Sequence, residues 1–345
     1  MNSIIQKLQQ GNELKEDELL AVLKNEDPEF MEELRKTAEE KLFSYYGNKV
    51  YIRGLVEYSN YCRENCHYCG IQRDNKNIER FRLTKEEILS SVHKGYKLGF
   101  RTFVLQGGED PFLTKEFFAE VIREIKSYYP ETRITLSLGV KSFEELKAFK
   151  DAGADRFLLR HEAASEELFQ KLHPKNQSFA KRKEALFHLK KLGFVTGTGF
   201  MIGAPFQTVE DIAADFNFIK ELHPEMIGVG PFIPQKDTRY KDYAQGDLNL
   251  SLRIVALLRI LFPKALIPST TALNSIDKNG RILGLQYGAN VIMPNLSPGF
   301  AKEKYKLYDH KAITDLESAE HIKLLEKEME KIGRKIVVDT GDPIR

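Results

Sequence analysis

The sequence predicts an α/β fold: a closed (β/α)8 TIM-type barrel with an N-terminal helical extension and a C-terminal helix. Three observations carry that prediction. From Val50 onward, short apolar or β-branched runs alternate with amphipathic stretches, and regular β–α alternation builds a parallel sheet. Eight such runs occur, at 50–58, 102–105, 133–138, 156–159, 194–201, 226–229, 265–268 and 290–293. Eight is the strand number of a closed barrel, whose chemistry sits at the C-terminal strand ends. The segments between them open on helix caps. Thr84-Lys-Glu-Glu87 and Ser142-Phe-Glu-Glu145 fit the capping box, and Ser178 and Thr208 are further N-cap candidates. An open doubly wound sheet is the competing architecture.

Residues 1–46 read as helical, from apolar spacing at Ile4, Ile5 and Leu8 and again at Leu19, Leu20, Val22 and Leu23. They form the expected N-terminal extension, and 47–345 the barrel with its C-terminal helical segment. A chain of 345 residues, 42% hydrophobic, is long enough to bury roughly three quarters of its unfolded surface without staples. Its 52 basic and 50 acidic residues leave a net charge of +2, which gives no electrostatic footing for nucleic acid or an anionic membrane. The longest apolar stretch, 254–262, is interrupted by Arg259 and too short to span a bilayer. The opening Met-Asn-Ser-Ile-Ile-Gln-Lys has no run of signal-peptide length. The expectation is a soluble cytoplasmic protein.

All three cysteines, Cys62, Cys66 and Cys69, fall within eight positions directly after the first strand, in a C-x3-C-x2-C spacing. An odd count in a reducing compartment argues against a disulfide. Structural zinc takes four N or S ligands, and His67, the available fourth, adjoins Cys66 in a crowded turn. Three inert buried cysteines this close would be an accident. Three thiolates can instead hold a 4Fe–4S cluster and leave one iron open to a small ligand.

Other strand ends carry polar residues. Leu105-Gln-Gly-Gly-Glu-Asp-Pro111 follows the second strand; its glycines allow close backbone approach, and Glu109 can accept from an ammonium. The plainer alternative is a βα turn in which Asp-Pro starts a helix. Leu158-Leu-Arg-His-Glu162 ends the fourth strand, where charged groups should face a polar cavity; a rim salt bridge between Arg160 and Glu162 is the plainer reading, and the two can hold together. Gly197-Thr-Gly-Phe-Met-Ile-Gly203 has the wrong spacing and place for a dinucleotide loop. Ser269, Thr270 and Thr271 end the seventh strand, either as turn caps or as neutral donors to a compact polar substrate.

The cysteine spacing, with Tyr68 before the last cysteine, resembles the C-x3-C-x-aromatic-C signature of the radical S-adenosylmethionine (SAM) superfamily. That resemblance implies one 4Fe–4S cluster whose open iron takes the amino and carboxylate groups of SAM, and one-electron cleavage of SAM to methionine and a 5′-deoxyadenosyl radical. Residues 50–310 resemble, more densely, the HydE family of FeFe-hydrogenase maturases. The matching segments include Ser59-Asn-x-Cys-Arg-x-Asn-Cys-x-Tyr-Cys-Gly70, Thr135-Leu-Ser-Leu-Gly139, Ala154-Asp-Arg-x-Leu-Leu-Arg-His-Glu162, Ile267-Pro-x-Thr-Thr-Ala272 and Gly288-Ala-Asn-Val-Ile-Met-Pro294.

Carried onto this chain, the resemblance implies that Tyr68, Gly107, Gly108, Glu109, Ser137, Glu162 and Arg182 surround SAM, with Glu162 on the ribose hydroxyls. It implies a substrate cavity lined by Gln106, Thr135, Arg160, Thr270, Thr271, Met293 and Tyr308, for a small organometallic or amino-acid-like substrate, here an iron–CO–cyanide–cysteine complex. The implied partners are a reductant such as flavodoxin or ferredoxin and other hydrogenase maturases, with no nucleic acid and no membrane. Some family members carry three further cysteines where this chain has Ile313, His321 and Leu324, so a second cluster is excluded by the cysteine count. The same count rejects biotin synthase. A HydE-like amino-acid mutase such as methylornithine synthase is the alternative enzyme, and a non-catalytic iron–sulfur scaffold the alternative class; a scaffold would form no 5′-deoxyadenosine.

Overall fold

The computed structural model describes residues 2–311 and 319–344; of the three positions compared above, Ile313 lies outside the described residues. Three helices come first: α1 (Asn2–Gln9), α2 (Glu16–Lys24) and α3 (Pro28–Tyr46). Strands and helices then alternate. They are β1 (Lys49–Ile52), β2 (Gly54–Ser59), α4 (Lys85–Lys97), β3 (Thr102–Gly107), α5 (Lys115–Tyr128), β4 (Arg133–Ser137), α6 (Phe143–Asp151) and β5 (Arg156–Leu158). The series continues with α7 (Glu166–Leu172), α8 (Phe179–Lys191), β6 (Val195–Thr198), β7 (Met201–Ile202), α9 (Val209–Leu222), β8 (Met226–Ile227) and β9 (Gly230–Pro231). Last come α10 (Leu248–Leu261), α11 (Thr271–Ile276), α12 (Gly280–Gln286), β10 (Val291–Ile292), α13 (Gly299–Lys304), α14 (Ile322–Lys331) and β11 (Lys335–Val337).

The predicted caps hold. Thr84, Ser142 and Thr208 each close a reciprocal capping box, and the Ser178 hydroxyl accepts from Lys181 N–H. Asp110-Pro111 does not start a helix: α5 begins at Lys115, capped by Thr114, because the Asp110 carboxylate is taken by Ser59 and Arg82.

Six parallel strands run in the order β2-β3-β4-β5-β6-β8. The ring is completed through 265–268 and the segment around β10. Met226 bridges Leu266, Pro268 bridges Val291, and Leu55 bridges Asn295; the Leu296 N–H donates to the Leu55 carbonyl at 2.7 Å. The seventh stave makes only isolated bridges because Pro268 brings no N–H to the ladder. Two predicted strands are each divided. The first breaks at Arg53, so that β1 pairs with β10 and β11 while β2 enters the main sheet. The fifth breaks at Gly199, where a Cβ would stand 1.8 Å from the Gly228 carbonyl oxygen; the neighbouring backbone comes closer than any side chain permits.

The C-terminal strand was not predicted. After α14, β11 pairs with β1, and the tail crosses the N-terminal end of the barrel. There the Thr340 carbonyl accepts from Thr102 and Arg156, and Asp342 pairs with Arg133 at 2.9 Å and Arg156 at 2.8 Å. The opposite end, where the strands finish, is left to the cysteine loop.

Candidate active site at the barrel mouth

The cysteine loop leaves β2 at Ser59 and is tied down on all sides. The Arg80 guanidinium donates to the carbonyls of Asn60, Ile71, Gln72 and Asn75, cross-linking both limbs of the loop. On the β3 side the turn at Gly108 packs so closely that a Cβ there would lie 2.2 Å from the Tyr61 carbonyl oxygen. On the far side stands the α7–α8 connector. His67 N–H donates to the Leu172 carbonyl at 3.0 Å, and the Tyr68 hydroxyl meets His173 Nε2 at 3.2 Å. His173 Nδ1 lies 2.9 Å from the Phe169 carbonyl, so Nδ1 carries the hydrogen and Nε2 accepts from Tyr68. Burial, aided by Arg182, holds the His173 pKa well below its usual value.

Burial pushes the Cys66 thiol up to about 12 and raises Cys62 and Cys69 as well. Each thiol therefore binds a metal only by giving up a proton. The sulfurs are close enough to raise one another's pKa, yet among the described residues no three Cys, His, Asp or Glu side chains converge on a single ion. Thiolates on one zinc ion would stand about 3.8 Å apart, from 2.3 Å bonds at tetrahedral angles. Three neighbouring thiols match the ligand set of a 4Fe–4S cluster that leaves one iron open.

Beside the loop lies a solvent-open cleft of about 190 Å³, whose lining includes Arg63, Glu64, Glu109, Gln177, Lys181 and Arg182. Glu109, in the turn after β3, is 8% exposed; it accepts from the Val140 N–H at 3.2 Å and pairs with Arg63 at 3.0 Å. Its pKa is raised by burial against the pull of Arg182 and Arg63. Arg182, in the first turn of α8, is buried and donates to the Arg160 carbonyl at 2.9 Å. A carboxylate and a guanidinium on one cleft wall match the two ends of an amino acid.

The segment that follows β5 carries Arg160 and Glu162. Glu162 has φ +67°, a left-handed backbone costing about 1–3 kcal/mol in a non-glycine residue. Its N–H donates to the Gly199 carbonyl at 3.1 Å. Behind it, Asp215 of α9 accepts from Ala164 N–H at 2.6 Å and His161 Nε2 at 3.1 Å, while His161 Nδ1 faces the Thr198 hydroxyl at 2.9 Å. The strained turn is thus clamped on both flanks. Arg160 Nη2 is 3.0 Å from Glu162 Oε2, but misaligned, so that Arg160 Nε and Nη2 have no hydrogen-bond partner. Thr135 Oγ1 and Thr270 Oγ1 are likewise buried without one.

Of the other predicted residues, Gln106 is paired in register with Ser137 at the strand ends and hydrogen-bonds the buried Tyr305 phenol. Thr271 starts α11. Met293 packs against the apolar cluster of Met226, Leu266 and Val291. Tyr308 sits in the 305–311 segment, which straps the mouth: Leu307 accepts from Gly70 N–H at 2.8 Å, and Asp309 N–H donates to Pro234 at 3.2 Å. Lys311 ends the strap on the buried Glu57 carboxylate of β2, which Asn295 also contacts at 2.8 Å. Sequence reasoning missed Arg80, Asp215, Glu57 and Lys311. Glu57, a charged residue in the middle of an otherwise apolar strand, was the one available signal.

No helix among the described residues is long and apolar enough to cross a membrane. A sequence model of the Radical SAM superfamily matches residues 56–219. The chain is 43% identical to the FeFe hydrogenase maturase subunit HydE of Thermotoga maritima, over 98% of this chain and 96% of that protein. It is 31% identical to 3-methylornithine synthase of Methanosarcina acetivorans, over 95% and 92%. The crystal structure of a methylornithine synthase superposes with a TM-score of 0.84 at 27% identity, covering 97% of each chain. The chain belongs to the radical SAM enzymes, which bind a 4Fe–4S cluster and SAM, and among them to the HydE family of FeFe-hydrogenase maturases.

Proposed function

We propose that Cys62, Cys66 and Cys69 hold the cluster, that SAM lies in the adjoining cleft, and that the barrel interior processes a small iron–CO–cyanide–cysteine complex during assembly of the hydrogenase H-cluster. Cluster and SAM, when bound, supply a one-electron cleavage that yields a 5′-deoxyadenosyl radical. The chain's own residues place the reactants. Glu109 accepts from the methionyl ammonium, Arg182 donates to the carboxylate, and the Glu162 carboxylate takes the ribose diol. Tyr68 and Ser137 flank the cofactor at the loop and strand ends, and the Gly107–Gly108 turn lets it approach the backbone. Residues 47–345 are the catalytic barrel and 1–46 its helical extension, working in the cytoplasm with a donor such as flavodoxin or ferredoxin and beside other hydrogenase maturases.

One observation carries the substrate end. Arg160, Thr135 and Thr270, three of the seven predicted lining residues, hold buried donor atoms with no partner. An unmade bond on a buried donor costs about 1–3 kcal/mol, a cost that an occupant rich in acceptors, such as cyanide, would remove. An amino-acid substrate would also need an anion for its ammonium, and the carboxylate of this group, Glu162, already faces Arg160. Replacing Arg160 by Ala is therefore expected to leave iron uptake and slow uncoupled 5′-deoxyadenosine formation intact, and to abolish maturation in a coupled hydrogenase assay. Normal maturation by that variant would sink the reading, as would 3-methylornithine formation by the wild-type protein.

A further inference from the structure

The α7–α8 connector puts a side-chain amide against one of the three cysteines. Gln177 Nε2 is 3.4 Å from Cys66 Sγ and 2.8 Å from Glu64 Oε2. A carboxylate only accepts, so the atom facing Glu64 is the amide nitrogen, and it is the same atom that faces the sulfur. The amide oxygen lies farther from the sulfur, at 3.8 Å. A thiol could donate to that oxygen. A metal-bound thiolate cannot, and then the N–H···S contact alone persists.

The amide is held in place. The Gln177 backbone N–H donates to the Pro174 carbonyl at 2.9 Å, and the next residue, Ser178, caps α8. Glu64 in turn lies 3.4 Å from Arg63, which offsets its negative charge. Gln177 also lines the solvent-open cleft, so it stands between water and the sulfur.

We propose that Gln177 is a positioning residue that sets the reduction potential of the cluster, by donating a hydrogen bond to the Cys66 thiolate in an orientation fixed by Glu64. Reduction adds one electron to the cluster and raises the negative charge on its sulfurs; an N–H dipole aimed at a sulfur favours the reduced form. The inference rests on Cys66 being a cluster ligand, and on nothing about the substrate.

The test is an EPR-monitored redox titration of the full-length protein after anaerobic reconstitution, with iron counted beforehand. Gln177→Leu keeps the bulk and removes the donor. Its reduced-to-oxidised ratio at a fixed potential is expected to fall about tenfold, equivalent to a midpoint about 59 mV more negative for one electron. Gln177→Glu puts an acceptor in the same place and should move the midpoint further in the same direction. Gln177→Asn, one methylene short of the sulfur, should resemble the Leu variant. Wild-type midpoints in cluster-loaded variants would overturn the proposal. So would a failure of all three variants to take up iron, since Gln177 would then be a structural residue of the loop. A wild-type chain that takes up no iron is a separate result, and it would remove the ligand assignment instead.

Discussion

The clamp behind Glu162 can be probed by a change that leaves every atom position filled. Asp215 Oδ1 accepts from the Ala164 N–H at 2.6 Å and from His161 Nε2 at 3.1 Å, and Asp215 and His161 are 0% and 1% exposed. Hydrogen bonds to a charged group contribute about 1.5–3 kcal/mol each and neutral ones about half that. Asp215→Asn keeps an oxygen for both donors but loses the charge, so the expected loss is about 1–3 kcal/mol. Asp215→Ala leaves two donors buried without a partner and should lose about 3–6 kcal/mol. The released turn can also shed the 1–3 kcal/mol of left-handed strain at Glu162, which would carry its carboxylate away from the proposed ribose contact. Stability is read by urea unfolding and SAM affinity by calorimetry at a temperature where circular dichroism shows the variant folded. SAM binding should weaken about tenfold in Asp215→Asn, since about 1.4 kcal/mol corresponds to one decade. A folded Asp215→Ala variant with wild-type stability and wild-type SAM affinity would refute the clamp.

Two further outcomes are expected. Arg182→Ala should weaken SAM binding about tenfold to a hundredfold, the worth of one charge-assisted hydrogen bond at 1.5–3 kcal/mol; unchanged affinity in that variant and in Glu162→Ala would count against the cofactor assignment. At the barrel floor, burial raises the Asp342 carboxyl, but hydrogen bonds from Arg133 and Arg156 win and hold it well below the usual carboxylate range. A carboxyl depressed in the folded state contributes stability above its unfolded pKa and loses it as pH falls through the folded one. Asp342→Asn should therefore be less stable than wild type at pH 7, with the gap narrowing as pH falls below about 4; a gap independent of pH would disprove the pairing.

The fold was legible wherever its signal was local. Capping boxes at Thr84 and Ser142 need only four consecutive residues, and the strand runs need only their own apolar periodicity. The tail that closes the floor was not legible, because its apolar run, Ile336-Val337-Val338, is only three residues long, and its partners Thr102, Arg133 and Arg156 lie some two hundred residues upstream. The same separation hid the supports of the site. Lys311 meets Glu57 across 254 positions, and Gln177 meets Cys66 across 111. Glu109, Arg160 and Glu162 stood out because each follows an apolar strand, where a charge has few places to go, whereas Arg182 in α8 and Tyr308 came only from the family resemblance.

Arg160 and Glu162 illustrate how far that reasoning reaches. From the sequence, the pair could be a rim salt bridge or two cavity groups, and the residue types serve both. The two groups lie face to face without making that bond. At 3.0 Å the charges are close enough to attract, yet the guanidinium is turned so that neither Nε nor Nη2 makes a hydrogen bond, and Glu162 Oε2 also goes unpartnered. A purely structural pair whose facing atoms are out of solvent would be expected to align, because desolvation is offset only when the hydrogen bonds are made. The Glu162 backbone is held by the Gly199 carbonyl and its neighbours by Asp215. Arg160 is thus left with donors that lack partners, and the Thr135 and Thr270 hydroxyls lack them too. On the proposed reading, those unmade bonds are what an anionic substrate completes, and the charge on Glu162 keeps the guanidinium in place until it does.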